Sequence, residues 1–253
     1  MKTALITGCS SGFGLETARY FLERDWNVIA TMRSPRDDIL PRSERLRILP
    51  LDVTDPTSIE RLAKEAGPID ALVNNAGVGL LSIFEGTPID AVREMFETNT
   101  FGPMALIQAL LPSFRTRRSG VIVNVTSTVT LKPLRMLSVY TASKAALNAF
   151  TESLALELEP FGVRARLVLP GQGRETSFGK NAVSWTLEHR VTIPDAYSDF
   201  TKAVFATFTD AQAPQFSTRA PDVAEAVWRA VTDPSAPLRQ PAGADAVALA
   251  RSL

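Results

Sequence analysis

The stretch "ITGCSSGFGLETARYFL", residues 6–22, decides the fold. It begins at the end of a β-branched run and finishes in a helical pattern, with Gly8, Gly12 and Gly14 between the two. Glycines in a strand-to-helix turn permit the tight turn, the close approach of a phosphate and close helix–strand packing. The free N–H groups and partial positive charge of a helix N-terminus attract an anion. The stretch therefore predicts a nucleotide site, and a plain tight turn is the alternative.

The elements after this turn alternate between strands and helices. Mostly apolar runs without strict alternation are typical of strands covered on both faces. Short connections predict right-handed βαβ units. The expected fold class is α/β, a doubly wound parallel sheet (Rossmann fold) in three α/β/α layers, with residues 1–253 forming one domain. Strands are predicted at 3–7, 27–32, 46–53, 69–75, 120–126 and 163–169, and helices at about 12–24, 56–66, 88–114 and 139–160.

The composition fits a folded enzyme-sized domain and excludes some partners. Apolar residues make up 45% of the 253 residues and charged residues 21%. Lys+Arg and Asp+Glu each total 27, so charge gives no reason to expect nucleic acid or a membrane as partner. Cys9 is the only cysteine, which favours a reducing compartment. The opening "MKTALITG" is already strand-like, with no room for a signal peptide, and no apolar run is long enough to span a bilayer. We expect a cytoplasmic protein.

The end of the second predicted strand indicates which nucleotide binds. NAD-binding folds commonly place an acid there, about 20 residues after the glycines, to bind the adenosine ribose. Here Met32 occupies that place and Arg33 follows it. A guanidinium without a competing carboxylate favours the 2′-phosphate of NADP(H) over NAD(H). Two observations keep the question open: Arg33 could be a solvated loop residue, and Asp37 and Asp38 lie nearby.

Together the motifs resemble the short-chain dehydrogenase/reductase family, in its single-domain branch. The resemblance runs from residue 3 to about 171 in the family's order and spacing. Residues 1–33 are similar to members related to hydroxysteroid and retinol dehydrogenases. The motifs are "TGCSSGFG" (7–14), "LDVTD" (51–55), "NNAG" (74–77), Asn99 in "ETNTFG", Ser127 in "NVTSTV", "YTASK" (140–144) and "LPG" (169–171).

The resemblance implies a hydride-transferring oxidoreductase that binds a nicotinamide dinucleotide. Its active set maps onto Asn99, Ser127, Tyr140 and Lys144. The chain departs from the family at Thr130, where glycine is frequent, and at Thr176, which comes one residue late for a nicotinamide contact. The implied cofactor-binding residues are Gly8, Ser10, Ser11, Gly12, Phe13, Gly14, Arg33, Asp52, Val53, Asn75, Ala76, Gly77, Tyr140, Lys144, Pro170, Gly171 and Thr176.

Tyr140 and Lys144 lie four residues apart in a helical pattern, so they share a helix face. Reduction of a ketone by hydride leaves charge on oxygen, which needs a proton donor beside it. A phenol has a pKa near 10, and an ammonium about 4 Å away would lower it by about three units at a dielectric constant near 20. We therefore expect Tyr140 to titrate near neutrality as the general acid. Ser127 would hydrogen-bond the substrate oxygen, although a structural role for a hydroxyl at a strand end is the alternative.

Asn99 stands in "TNTFGPMAL", where the helical partner of its carbonyl would be the N–H of residue 103. That residue is Pro103, which has no N–H. We expect the Asn99 carbonyl to be free to hold a water that passes protons to Lys144, as in similar family members. An ordinary proline kink is the alternative.

Residues 172–220 break the strand–helix rhythm and are predicted to cover the substrate, with 131–137 at one wall. Few charges accompany their aromatic residues, so we expect a bulky apolar carbonyl or secondary alcohol, unless the rings only pack the cover onto the body. His189 is expected at the surface or pocket rim, with no metal. The helices at 88–114 and 139–160 have broad apolar faces, which pack subunit to subunit in similar proteins, so the resemblance implies a homodimer or homotetramer. A sensor that binds NADP without turnover is the rival function. The aromatic residues are Phe178, Trp185, Tyr197, Phe200, Phe205 and Phe208.

Overall fold

The computed structural model describes residues 1–173, 176–209 and 217–253 of the chain, and side chains of 207–209 are outside that description. Its strands form one parallel sheet in the order β3-β2-β1-β4-β5-β6-β7. The order reverses between β1 and β4, which is the topological switch point of a doubly wound sheet. The strands are β1 Thr3–Ile6, β2 Asn27–Met32, β3 Leu46–Pro50, β4 Ala71–Asn74, β5 Gly120–Val125, β6 Val163–Pro170 and β7 Arg239–Ala242.

Helices cover both faces of the sheet, so the α/β/α layering is confirmed. Two apolar cores lie between the layers, one beneath α1 and α8 and the other beneath α2, α4 and α5. The helices are α1 Gly12–Leu22, α2 Pro56–Ala66, α3 Ile89–Phe96, α4 Gly102–Arg117, α5 Ser138–Leu158, α6 Phe178–Glu188, α7 Ser198–Thr209, α8 Ala220–Thr232 and α9 Ala244–Arg251.

Local chemistry explains several of these boundaries. The Asp55 side chain accepts a hydrogen bond from the Thr57 N–H at 2.9 Å, and Pro56 follows in the first turn, so α2 begins as a capped helix. Gly12 at the start of α1 has φ +58°, a left-handed conformation that glycine adopts without strain. Apart from the helix expected at 88–114, the predicted strands and helices up to residue 171 lie where the sequence places them, within a few residues.

Several features differ from the sequence prediction, among them helices α8 and α9, which were not predicted. The single helix expected at 88–114 is two helices, joined by a π-helical turn over Glu97–Phe101 in which the Gly102 N–H bonds the Glu97 carbonyl. Strand β7 was not predicted, because its four residues include a proline and show no pattern. Helices α6 and α7 lie inside the segment expected to be irregular. No helix in the described part of the chain is long and apolar enough to cross a membrane.

Candidate active site

A cleft of about 1660 Å³ opens beyond the carboxyl ends of the central strands. Ligands of doubly wound sheets bind at this edge because the switch point leaves a crevice there. Most of the predicted site residues line the cleft; Gly14 and Asn99 do not. Those that do are Gly8, Ser10, Ser11, Gly12, Phe13, Arg33, Asp52, Val53, Asn75, Ala76, Gly77, Ser127, Tyr140, Lys144, Pro170, Gly171 and Thr176.

The glycine turn between β1 and α1 forms one end of the cleft. A Cβ on Gly8 would stand 2.9 Å from the Ala76 Cα, and one on Gly14 would stand 2.3 Å from the Gly8 carbonyl oxygen. Gly14 is thus a packing residue behind the cleft. A Cβ on Gly12 would meet only Thr176, at 3.4 Å, so the helix N-terminus is open toward the cleft. The turn offers backbone N–H groups at close range to an anion.

Thr7 holds the glycine turn against the loop after β4, a role that sequence reasoning missed. Its buried hydroxyl accepts hydrogen bonds from the N–H groups of Asn75 at 3.0 Å and Ala76 at 2.9 Å. The Asn75 amide donates back to the carbonyls of Thr7 and Gly8 at 3.0 and 3.3 Å. The Asn75 side chain is therefore structural, and only the threonine directly before Gly8 could have indicated this link.

Arg33 and Asp52 lie at the other end of the cleft, after β2 and β3. Arg33 is exposed, lines the cleft and has no ion-pair partner among the residues described. Asp37 and Asp38 do not line the cleft, and Asp38 lies 3.9 Å from Arg36. The Asp52 carboxylate accepts hydrogen bonds from the Thr54 N–H and hydroxyl, so local bonds already use it.

Three members of the predicted active set, Ser127, Tyr140 and Lys144, line this cleft. Ser127 follows β5, and Tyr140 and Lys144 lie on the first turns of α5; all three are more than nine-tenths buried. The Lys144 Nζ donates to the Val125 carbonyl at 3.2 Å. Asn99 Oδ1 and Lys144 Nζ would lie 3.1 and 3.2 Å from a Cβ on Gly77, so a side chain there would occupy the space between them.

The side chain of Asn99 is fully buried and links two parts of the site. It accepts from the Val78 N–H and donates to the Val78 carbonyl, both at 2.9 Å, and it donates to Ser143 Oγ on α5 at 3.1 Å. These bonds place the loop after β4 against the helix of Tyr140 and Lys144. Asn99 lies within the π-helical turn, a rare geometry often found at functional sites.

The electrostatics of the pair differ from the sequence expectation. Burial raises the pKa of Tyr140 to about 12, and a hydrogen bond with Ser127 opposes the rise only in part. Burial also lowers the pKa of Lys144 to about 8. Contrary to the sequence prediction, the pKa of Tyr140 is therefore not near neutrality, because burial raises it.

Comparisons with known proteins agree with this geometry. The family model of the short chain dehydrogenases matches residues 2–186. The chain belongs to the short-chain dehydrogenase family. It is 36% identical to bovine retinol dehydrogenase 8 over 258 residues, which covers 94% of this chain and 80% of that protein. It is 37% identical to the uncharacterised oxidoreductase YusZ of Bacillus subtilis over 219 residues, covering 81% and 76%.

Solved structures of other dehydrogenases share the whole fold. A short-chain dehydrogenase from Streptomyces avermitilis superposes with a TM-score of 0.84 at 33% identity, covering 100% of this chain and 92% of that one. The closed form of a serine dehydrogenase complexed with NADP+ superposes with a TM-score of 0.79 at 28% identity, covering 95% and 94%. A Burkholderia cenocepacia short chain dehydrogenase in complex with NADP gives 0.77 at 26% identity, covering 100% and 94%.

The cleft of this dehydrogenase fits a nicotinamide dinucleotide. The close contacts at Gly8 and Gly77 leave backbone, with no side chain, facing the cleft. The open side of Gly12 and the exposed Arg33 would hold the phosphates, and the buried Tyr140 and Lys144 line the same cleft. No group of three or more His, Cys, Asp or Glu among the described residues could hold a metal ion.

The part of the cleft that the sequence predicted to bind substrate is lined by residues of α6 and by residues 133–135 and 137. The ring of Phe178 lies 5.8 Å from that of Tyr140, centroid to centroid. A Cβ on Gly79 would stand 2.6 Å from the Phe178 ring, so this glycine makes room for it. Of the predicted aromatic residues, Phe178 and Trp185 line the cleft, whereas Tyr197, Phe200 and Phe205 do not; the side chain of Phe208 lies outside the described residues.

His189 lies at the cleft rim, as expected, but it has carboxylate neighbours that the sequence did not indicate. Its Nε2 lies 2.6 Å from the Glu94 carboxylate on α3, and its Nδ1 lies 2.8 Å from the Trp185 carbonyl. Its ring stacks on Trp185 at 3.8 Å. Burial lowers the pKa of His189, but the bonds to Glu94 and Trp185 and the charges of Glu94 and Glu188 raise it by more.

Proposed function

We propose that this protein is an NADP(H)-dependent oxidoreductase that transfers hydride between nicotinamide and a carbonyl or secondary alcohol, with Tyr140 as general acid and base. One observation carries the proposal. The buried Ser127, Tyr140 and Lys144 line the same cleft as the glycine turn and Arg33. A proton donor and a dinucleotide site in one crevice is what carbonyl reduction requires.

Tyr140 acts as the acid in the reduction direction. A phenol with a pKa of about 12 keeps its proton throughout the neutral range. The alkoxide that hydride transfer leaves on the substrate is a stronger base than a phenolate, so it takes this proton. The nicotinamide supplies the hydride and, when oxidised, a positive charge that favours the phenolate for the reverse reaction. Ser127 holds the substrate oxygen beside Tyr140.

Lys144 replenishes the proton of Tyr140. With a pKa of about 8 it is charged near neutrality yet close enough to that range to exchange protons. Its other proposed task, taken from the family, is to hold the nicotinamide ribose. The Asn99 carbonyl, which Pro103 cannot bond, is proposed to hold the water between Lys144 and solvent. A high-resolution crystal structure without a water between that carbonyl and Lys144 would contradict this relay.

NADP(H) is proposed over NAD(H) because of the adenosine end of the cleft. Arg33 lines it without an ion-pair partner among the described residues, and neither Asp37 nor Asp38 reaches it. A free guanidinium pairs with the 2′-phosphate that distinguishes NADP. Two of the similar solved dehydrogenases hold NADP, which agrees with this choice.

The substrate is proposed to be a bulky apolar ketone, aldehyde or secondary alcohol. Many apolar side chains line the cleft, and the ring of Phe178 lies beside the phenol of Tyr140, 5.8 Å away between centroids and tilted by 56°. Retinol dehydrogenase 8 is among the relatives of this chain, which agrees with an apolar substrate. Among these apolar residues are Val78, Leu80, Leu81, Val129, Leu134, Leu137, Phe178, Trp185 and Val204.

We also propose that two or four copies associate through α4 and α5. Leu156 on α5 and Phe101 at the start of α4 are 72% and 51% exposed. Large apolar side chains in such positions are favourable to bury against a second copy. Analytical ultracentrifugation would show a dimer or tetramer at micromolar concentration, and a monomer there would contradict this proposal.

NADPH oxidation with a panel of aromatic and steroidal ketones tests the function. The wild type should turn over at least one ketone, and Tyr140→Phe should lose 100-fold or more of kcat, on the order expected for a general acid. NADPH binding, followed by quenching of protein fluorescence, should be unchanged in the variant. Tight NADPH binding without turnover of any carbonyl would contradict the enzyme and support a sensor.

A further inference from the structure

The position of Ser127 is set by the short helical turn that follows it. Ser127 caps this turn, and its hydroxyl accepts a hydrogen bond from the Val129 N–H at 3.3 Å. Its carbonyl accepts two bonds from Thr130, from the N–H at 3.3 Å and from the hydroxyl at 2.8 Å. The hydroxyl of Thr130 is therefore the shortest contact that holds the backbone of Ser127.

Thr130 is in turn held by α5. The Asn148 amide donates to the Thr130 hydroxyl at 2.9 Å, and Asn148 is 5% exposed. Asn148 lies on the same helix as Tyr140, about two turns further along. A directed chain thus runs from the Asn148 N–H through the Thr130 O–H to the Ser127 carbonyl. In such a chain each donor polarises the next, which strengthens both bonds.

We propose that Thr130 and Asn148 are positioning residues for Ser127, which fix its distance from Tyr140 by linking its loop to the helix that carries Tyr140. This rests on the proposed function, in which Ser127 holds the substrate oxygen. The sequence showed threonine at 130, where the resemblance leads one to expect glycine. A glycine has no hydroxyl and could not make the link, so this chain supplies a contact of its own.

The orientation of the Asn148 amide provides a second way to test the hydrogen-bond chain. Its Oδ1 is buried and has no hydrogen-bond partner among the described residues. If an oxygen replaced the amide nitrogen of Asn148, the Thr130 hydroxyl would donate to that oxygen instead of to the Ser127 carbonyl. Asn148→Asp, whose carboxylate only accepts, should therefore have the same effect on turnover as Thr130→Val, which removes the hydroxyl at nearly constant volume.

A double-mutant cycle with Ser127→Ala tests the proposal. Thr130→Val should lower kcat about fivefold in the wild type, as expected from loss of one neutral hydrogen bond. In the Ser127→Ala background it should lower kcat less than about twofold, because the residue that it positions is gone. Equal losses in both backgrounds would show a general structural effect and overturn the proposal, and so would an unchanged kcat in Thr130→Val.

Two control variants complete the test. Thr130→Ser returns the hydroxyl and should restore kcat. Thr232→Val removes a hydroxyl bonded within α8, far from the cleft, and should leave kcat unchanged. If Ser127→Ala kept full turnover, the role of Ser127 and with it the positioning proposal would fail; if the wild type turned over no ketone, the proposed function itself would fail.

Discussion

The glycine turn and the cover over the substrate line the same cleft but are built in opposite ways. In the turn, backbone atoms approach so closely that added Cβ atoms at Gly8 and Gly14 would stand 2.9 and 2.3 Å from their neighbours. In the cover, α6 has no buried residue, and Val183 and Leu187 are 62% and 74% exposed. The turn that would hold the cofactor is constrained by close packing. The helix that would select the substrate buries no residue, so substitutions in it should disturb the fold less.

Matched glycine substitutions should show this contrast most strongly. Gly14→Ala places a methyl group against the Gly8 carbonyl and the Asn75 amide, so the turn must deform. We expect loss of NADPH binding and a decrease of roughly 1–3 kcal/mol in the free energy of unfolding. Gly179→Ala on α6 meets nothing within 4 Å and should be neutral or stabilising by about 0.5–1 kcal/mol. Urea unfolding and NADPH titration of both variants measure this, and equal effects would remove the contrast.

Arg33→Ala should affect one cofactor only. Loss of a charge-assisted bond to the 2′-phosphate should weaken NADPH binding about 10- to 100-fold and leave NADH binding nearly unchanged. Because Arg33 is exposed, the fold should be unaffected. Arg36→Ala, a neighbouring exposed arginine outside the cleft, is the control. Kd values for both nucleotides provide the measurement. If NADPH and NADH weakened equally, Arg33 would not be the 2′-phosphate contact.

Phe178→Ala should change the substrate side without changing the cofactor side. Removal of the ring beside Tyr140 should lower kcat/KM for bulky apolar ketones about tenfold, the effect of roughly 1.4 kcal/mol of lost contact. The Kd for NADPH should stay within about twofold. Val183→Ala, on the exposed outer surface of the same helix, is the control. A small charged ketone preferred by the wild type would contradict the apolar pocket.

The smallest expected effect is that of pH on the contact between His189, which follows α6, and Glu94 on α3. The Glu94 contact helps to raise the pKa of His189 above its unfolded value of about 6.5, so the charged form is stabilised in the folded protein. That stabilisation is complete below the unfolded pKa and is lost as pH rises through the folded pKa. The Tm difference between wild type and His189→Asn should therefore shrink from pH 5.5 to pH 8.5. A constant difference would show that the pair contributes nothing.

The same contrast explains how far the sequence could predict the structure. Strands β1 to β6 and the glycine turn follow from apolar runs and glycine spacing, which are local signals. Pro103 indicates a disturbance of the long helix, but not the π geometry at Glu97–Phe101, where Asn99 bonds Val78 and Ser143, which are distant in sequence. Strand β7 is too short to show a pattern. It carries Ala242, whose carbonyl accepts from the Gly171 N–H at 3.4 Å and from the buried Thr218 hydroxyl at 2.9 Å.

The sequence predicted that Tyr140 and Lys144 share a helix face, but it did not predict the pKa shifts of the two side chains. The spacing of Tyr140 and Lys144 placed both on one helix face, and the structure brings Ser127 to them. The direction of their pKa shifts depends on burial by elements distant in sequence, including Phe178. No spacing rule reports such desolvation. The hydroxyl of Thr7 and the link from Asn148 to Thr130 are likewise tertiary contacts without a local signature.

Transfer of isotope from cofactor to substrate is the most direct test of the hydride chemistry assigned to the cleft. The protein would be mixed with NADPH that carries deuterium at the transferable C4 position and with a ketone that it turns over. Mass spectrometry of the alcohol should show one deuterium on the carbinol carbon, and the Tyr140→Phe variant should form that product at least 100-fold more slowly. Bound NADPH that never passes its label to any carbonyl, or labelled product formed at the wild-type rate by the variant, would contradict the account.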